Sequence, residues 1–292
     1  MMANESMGRR LRELTAEQTP LLMVGTINAM CALLAQQAGL KAIYLSGAGV
    51  ANADYALPDL GITSLDNVVD SARKITQAVN LPLLVDGDTG WGSILNITRT
   101  VQQLISVGAA GVHLEDQAFP KRCGHRSGKI LCTTDVMLDR LKAALDARTD
   151  PDFVIMARTD AVSVESLDAA IARAQAYAQA GADMIFAEAV DNLADYQKFT
   201  KALGKVPVLA NITEFGKTPL FTNQELGQSG IKIALYPLSA FRAMNYAASQ
   251  VYQAIMQQGT QKAWLPNMQT RDDLYAVLDY YNYEKQIDDD RE

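Results

Sequence analysis

The sequence predicts an α/β protein of the (β/α)₈ TIM-type barrel class, with an N-terminal helix and a C-terminal helical extension. Three observations carry this. Eight short apolar or β-branched runs recur along the chain, Ala-, Leu- and Gln-rich segments of helical period separate them, and Gly closes several of those segments just before the next run. The strand candidates are LLMVGTIN (21–28), AIYLSG (42–47), LPLLVDGD (81–88), GVHLEDQ (111–117), FVIMARTD (153–160), DMIFAE (183–188), VPVLANIT (206–213) and IKIALYPL (231–238). Continuous apolar runs suit strands buried on both faces of a parallel sheet. Between them, Ile94, Val101, Leu104 and Ile105, and likewise Leu167, Ile171, Ala174 and Tyr177, recur at the spacing of one helix face. Gly39, Gly108 and Gly181 follow such segments, where glycine relieves the left-handed cap. Residues 8–15 form the expected first helix, and 268–292 the extension of a single domain spanning 1–292. An open doubly wound sheet fits less well, because Gly25-Thr26-Ile27-Asn28 is no glycine fingerprint for a dinucleotide.

Composition narrows the function. The 292 residues are 49% hydrophobic and 20% charged, ordinary for one large domain. A formal charge of −7 and the lack of a long basic run argue against a nucleic-acid partner. With no apolar signal core at the start and no run of about 20 apolar residues, no membrane partner is expected and the cytoplasm is the expected location. Three cysteines, Cys31, Cys123 and Cys132, give no disulfide framework.

Nearly every strand candidate begins apolar and finishes polar: Ser46-Gly47, Asp86 and Asp88, Glu115-Asp116-Gln117, Arg158-Thr159-Asp160, Glu188, and Asn211-Thr213-Glu214. In a barrel these are C-terminal strand ends, the face where active sites are built. Asp86 and Asp88 stand two apart and so point to one side of a strand, with Glu115 ending the next. Three hard oxygen donors without a His or Cys pair suit Mg²⁺, with Mn²⁺ as the alternative ion. The same aspartates could instead be paired with Lys or Arg. Arg158, Arg242 and Arg271 are candidate clamps for substrate carboxylates, although Arg271 could equally pair with Asp272 at the surface.

Residues 118–133, AFPKRCGHRSGKILCT, form a long polar loop suited to a lid. Lys121, Arg122, His125 and Arg126 are expected to lower the pKa of Cys123, which leaves nucleophile, redox sensor and acid all open. Cys31 and Cys132 read as small core residues. His113 is by default a satisfied core group, with orientation of Glu115 or a proton relay as the alternative. Tyr44, near a strand end, either packs or reaches substrate.

The stretches VGTINA (24–29), IYLSGAG (43–49), LPDLGI (57–62), LPLLVDGDTGWGS (81–93), HLEDQ (113–117), KRCGH (121–125), DPDFVIMARTDA (150–161), LANITEFGKTPLF (209–221), ALYPLSAFRAMN (234–245) and MQTR (268–271) closely resemble the isocitrate lyase and phosphoenolpyruvate mutase superfamily, and within it the methylisocitrate lyase family. KRCGH is the specific element. The resemblance implies cleavage of (2S,3R)-2-methylisocitrate to pyruvate and succinate in the 2-methylcitrate cycle of propionate catabolism. An isocitrate lyase yielding glyoxylate, or an oxaloacetate decarboxylase or phosphonomutase, is the alternative. It implies Mg²⁺ on Asp86 and Asp88, and a small tricarboxylate touched by Ser46, Gly47, Ala48, Cys123, Gly124, Arg158, Glu188, Asn211, Ile212, Thr213, Arg242 and Arg271. Cys123, Tyr44, His125 and Glu115 are the catalytic candidates. It further implies a homotetramer with exchanged C-terminal helices. Ala48, Gly87 and Ala187 depart from the usual pattern, and Tyr44, Leu235 and Pro237 match positions that leave room for the extra methyl. A metabolite-binding or redox-sensing thiol protein is the alternative from outside catalysis.

Overall fold

The computed structural model describes residues 6–291. Each of the eight candidate runs contains one strand: β1 (Leu21–Gly25), β2 (Ala42–Leu45), β3 (Leu83–Asp86), β4 (Gly111–Glu115), β5 (Val154–Thr159), β6 (Met184–Ala187), β7 (Val208–Asn211) and β8 (Ile233–Tyr236). All pairs are parallel, and β1 pairs with β8 through Leu21 opposite Ile233, closing the barrel in chain order. Most strands end before the polar tail of the run does. In the first, Asn28 leaves the sheet to cap the helix Ala29–Gln37, its side chain accepting from the Cys31 N–H at 2.9 Å.

Alternation along the strands sorts the core into two layers. Leu21, Met23, Ala42, Tyr44, Leu84, Val154, Met156, Met184, Phe186, Leu209, Ile233 and Leu235 form the cluster inside the barrel. The intervening residues, such as Ile43, Leu83, Val85, Val112, Ile155 and Ile185, pack outward against the helices. The N-terminal helix Met7–Glu17 adds its buried Leu11 to the inner cluster. It lies so close to the β5 approach that a Cβ on Gly8 would meet the Phe153 Cα at 2.8 Å. Gly39, Gly108 and Gly181 take φ of 87°, 81° and 109°, as their place at helix ends requires.

Contacts divide the chain into two units, one through Ser239 and one of Ala240–Glu292. The second is helical, carrying most of Ser239–Gln258, then Arg271–Leu278 and Tyr280–Asp289. Thr270 and Asp273 cap the middle helix reciprocally, and Tyr275 stacks on Tyr280 with ring centroids 4.2 Å apart. Among the described residues no helix is long and apolar enough to cross a membrane.

Candidate active site

The polar strand ends gather at one mouth of the barrel, beginning with β3. Asp86 closes that strand, buried, and its carboxylate accepts from the Gly47 N–H at 3.0 Å and the Asp88 N–H at 3.1 Å. Gly87 lies against β4, where a Cβ would come within 2.7 Å of the His113 carbonyl oxygen. Asp88 therefore turns off the strand in a left-handed conformation, φ 45°, with its carbonyl accepting from the Glu115 N–H at 2.9 Å. Strand alternation does not explain the convergence of the two aspartates; this turn does. A Cβ on Gly47 would stand 3.2 Å from Asp86 Oδ2 and 3.3 Å from Asp88 Oδ1, so both oxygens address the same space. The N-terminus of the helix Gly47–Tyr55, with Ser46 at the N-cap position but making no capping bond and Ala48 in its first turn, adds a field favourable to anions.

Glu115 does not join them. It stands opposite Arg158 in the β4–β5 register, with Oε2 3.4 Å from Arg158 Nε, while Oε1 is buried without a hydrogen-bond partner. No group of three or more His, Cys, Asp or Glu is arranged to hold a metal among the described residues, so the expected three-carboxylate convergence reduces to Asp86 and Asp88. Burial, only partly opposed by Arg158, pushes Glu115 well above the usual carboxylate range. Lys121 pairs with Asp88 at 2.7 Å and also with Asp59.

Tyr44 and His113 are coupled inside the barrel. The Tyr44 hydroxyl lies 2.8 Å from His113 Nε2, the rings stack at 5.8 Å, and Nε2 is 3.4 Å from Asp86 Oδ1. Burial brings His113 down to about 4, so it is neutral at physiological pH. Burial opposes the charge on Asp86, but His113, Lys121 and Arg158 outweigh it and hold that carboxyl at about 2. The polar partners of His113 are thus Tyr44 and Asp86, where orientation of Glu115 was the expectation.

On the other side of the mouth Arg158 is saturated with carboxylates. Its Nε and Nη2 meet Asp160 at 3.0 and 3.1 Å, Nη1 meets Glu188 at 3.2 Å, and the guanidinium lies 5.1 Å from the Phe186 ring centroid. Glu188 also accepts from the Ala189 N–H at 3.0 Å and from Asn211 Nδ2 at 3.3 Å. Burial works against its charge, yet Arg158 and then His125 hold Glu188 far below its ordinary value. Asn211 Oδ1 is buried without a hydrogen-bond partner, and Thr213 is buried nearby in sequence, whereas the Ile212 side chain packs in the outer core and leaves only its backbone for a ligand.

The loop 118–133 is folded over this second side. Its base is tied by the Ala118 N–H to the Ile130 carbonyl at 2.7 Å and the Cys132 N–H to the Asp116 carbonyl at 2.9 Å. A Cβ on Gly124 would collide with Arg158 and lie 2.7 Å from the Glu188 carboxyl carbon, so only glycine permits this approach. His125 Nδ1 accepts from the Lys217 N–H at 3.0 Å, which places the ring proton on Nε2, 3.0 Å from Glu188. Cys123 itself is half-buried, and burial raises its thiol above the ordinary value. The expected lowering fails because the loop's cations are engaged elsewhere: Lys121 on Asp59 and Asp88, Lys129 on Asp160, and Arg122 on the Ser127 carbonyl at 3.3 Å.

Sequence reasoning missed Asp59 and Lys129 as members of the site and gave Asp160 only as a polar strand end. Their only signal was position, Asp160 at a strand end and Lys129 within the thiol loop. Arg242 lies on the helix Ser239–Gln258 and Arg271 opens Arg271–Leu278, both in the second unit. At the mouth, five buried carboxylates (Asp86, Asp88, Glu115, Asp160, Glu188) accompany three buried cations (Lys121, Lys129, Arg158). The shared space that Asp86 and Asp88 address fits a divalent cation held by two carboxylates, with its other ligands from water and substrate.

The family model for phosphoenolpyruvate phosphomutase matches residues 11–256. The 2-methylisocitrate lyase of Escherichia coli (strain K12) is 57% identical over 288 residues, covering 98% of this chain and 97% of that protein. A crystal structure of 2,3-dimethylmalate lyase, described as a phosphoenolpyruvate mutase/isocitrate lyase superfamily member, superposes with a TM-score of 0.90 at 30% identity, covering 97% of this chain and 95% of its own. Phosphonopyruvate hydrolase in complex with oxalate and Mg²⁺ superposes with a TM-score of 0.84 at 28% identity, covering 96% and 97%.

Proposed function

The chain belongs to the phosphoenolpyruvate phosphomutase family, an enzyme superfamily of carbon–carbon lyases and mutases, and on that premise we propose that it cleaves (2S,3R)-2-methylisocitrate to pyruvate and succinate with Mg²⁺. The observation that carries the reading is the 57% identity to a 2-methylisocitrate lyase over nearly the whole of both chains. Asp86 and Asp88 would hold the ion, which when bound polarises the hydroxyl and carboxylate oxygens at C2 and stabilises the charge that develops there.

The chain's own groups supply the proton chemistry. Tyr44, oriented by the neutral His113 2.8 Å away, hydrogen-bonds the C2 hydroxyl, whose proton passes to a water at the Asp86–Asp88 cluster. Breaking the C2–C3 bond then leaves a succinate carbanion. Cys123 protonates it, a role that a buried, raised thiol fits better than it would fit a nucleophile, because an acid must arrive carrying its proton. Glu115 stands beside Arg158, where burial favours its neutral form. Arg158, Asn211 and Thr213 complete the recognition of the tricarboxylate on the barrel. His125 has both ring nitrogens engaged, so it holds the loop and carries no proton to the substrate. Loop closure keeps water from quenching the carbanion.

The reading includes a place in the 2-methylcitrate cycle in the cytoplasm, and a homotetramer exchanging C-terminal helices. The last is supported by the exposure of Tyr246, Tyr252, Met256, Leu265 and Ile287 in the second unit. The test is to incubate the purified protein with 2-methylisocitrate and with isocitrate, each with and without EDTA, and to measure pyruvate and glyoxylate. Pyruvate from the first, abolished by EDTA, is expected. Faster glyoxylate release from isocitrate would replace the substrate, and turnover indifferent to EDTA would remove the metal.

A further inference from the structure

Lys129 is an unusual member of a mobile-type loop. Its side chain is 1% exposed, with Nζ 2.7 Å from Asp160 Oδ1 and donating to the Gly124 carbonyl at 2.5 Å. Backbone bonds already tie the loop's base, so a buried ammonium is not needed merely to close the chain on itself. What Lys129 adds is a link between the residue after the thiol and the charge network at the strand ends. Asp160 Oδ1 is shared, because Arg158 Nη2 approaches the same oxygen at 3.1 Å.

We propose that Lys129 is a positioning residue that sets the height of Cys123 over the site and couples loop closure to anion binding at Arg158. The Gly124 backbone lies directly over Arg158 and Glu188, so a shift at its carbonyl moves the adjacent thiol relative to the reacting carbon. When a substrate carboxylate engages Arg158, the guanidinium loosens its hold on Asp160. Asp160 then turns fully to Lys129, and the ammonium draws the Gly124 carbonyl down. The loop tightens because the substrate has arrived. The effect on turnover rests on the lyase reading; the effect on the loop does not.

The test uses full-length Lys129→Met and Lys129→Arg, each read in two ways. Without substrate, amide hydrogen exchange across 118–133 should rise at least about tenfold in Lys129→Met, with the barrel strands unchanged, and return toward wild type in Lys129→Arg. With 2-methylisocitrate and Mg²⁺, Lys129→Met should lose about 10²-fold in kcat, the size expected for a misplaced reacting group, while KM changes far less. If Lys129→Met does not fold, Lys129→Gln, which keeps a donor without charge, is read in the same assays. Loop exchange equal to wild type in the methionine or glutamine variant overturns the proposal. A wild-type protein inactive on methylisocitrate, with exchange still raised in Lys129→Met, would sink the substrate reading and support the latch.

Discussion

The two sides of the barrel mouth use carboxylates in opposite ways. Around β3, Asp86 and Asp88 aim oxygens at one shared space, and the cation beside them, Lys121, touches Asp88 from the side of Asp59. Around β5 and β6, Asp160 and Glu188 are fully engaged by Arg158, Lys129 and His125. Equal chemistry thus gives different functions. Carboxylates left partly unpaired suit a divalent cation, whereas carboxylates closed by cations form a platform on which the thiol loop rests.

The largest expected effect is at the loop carried by that platform. Cys123→Ala should lower kcat by about 10²- to 10⁴-fold with thermal stability unchanged, as loss of a general acid does. Steady-state kinetics beside a melting curve decides it, and full turnover in the variant would take the thiol out of the reaction. Glu188→Gln comes next. Removing one partner from a buried charge network costs about 3–5 kcal/mol, so a fall in Tm is expected with the Mg²⁺ requirement unaltered. A changed Mg²⁺ requirement would mean that the two sides are not separate.

Much of this division was legible in the sequence, and the reason it was not wholly legible is physical. The barrel was readable because strands buried on both faces must be apolar throughout, as LLVD and VIMART nearly are before their polar ends. The polar ends themselves announced the mouth. The arrangement within it depends on turns and register that no local pattern encodes. Asp88 converges on Asp86 through a left-handed turn, and Glu115 is drawn to Arg158 because the register sets them opposite. The thiol was misjudged for a related reason. Lys121 stands two residues from Cys123 in sequence, but Asp59 and Asp88, distant in the chain, claim it, and burial is left to raise the thiol pKa.

On the β3 side, Gly47→Ala should crowd both aspartate oxygens and weaken Mg²⁺ activation by about tenfold, as changes around a metal site do. Unaltered activation would show that the ion does not sit beside Gly47. The smallest effect is a pH limb. Because the Cys123 pKa is raised, its protonated form persists through neutral pH, and activity should fall only as pH rises through a value above that of an ordinary thiol. An activity loss already complete near neutral pH would indicate a lowered thiol and a thiolate mechanism.

The division of labour is tested most directly by titrating Mg²⁺ against the rate of pyruvate formation from 2-methylisocitrate in wild type, Asp88→Asn and Glu188→Gln. The account predicts that Asp88→Asn raises the Mg²⁺ concentration needed for half-activation by about 10- to 100-fold, while Glu188→Gln leaves it at the wild-type value even as its stability falls. Equal Mg²⁺ dependence in wild type and Asp88→Asn, or a shift confined to Glu188→Gln, would contradict it.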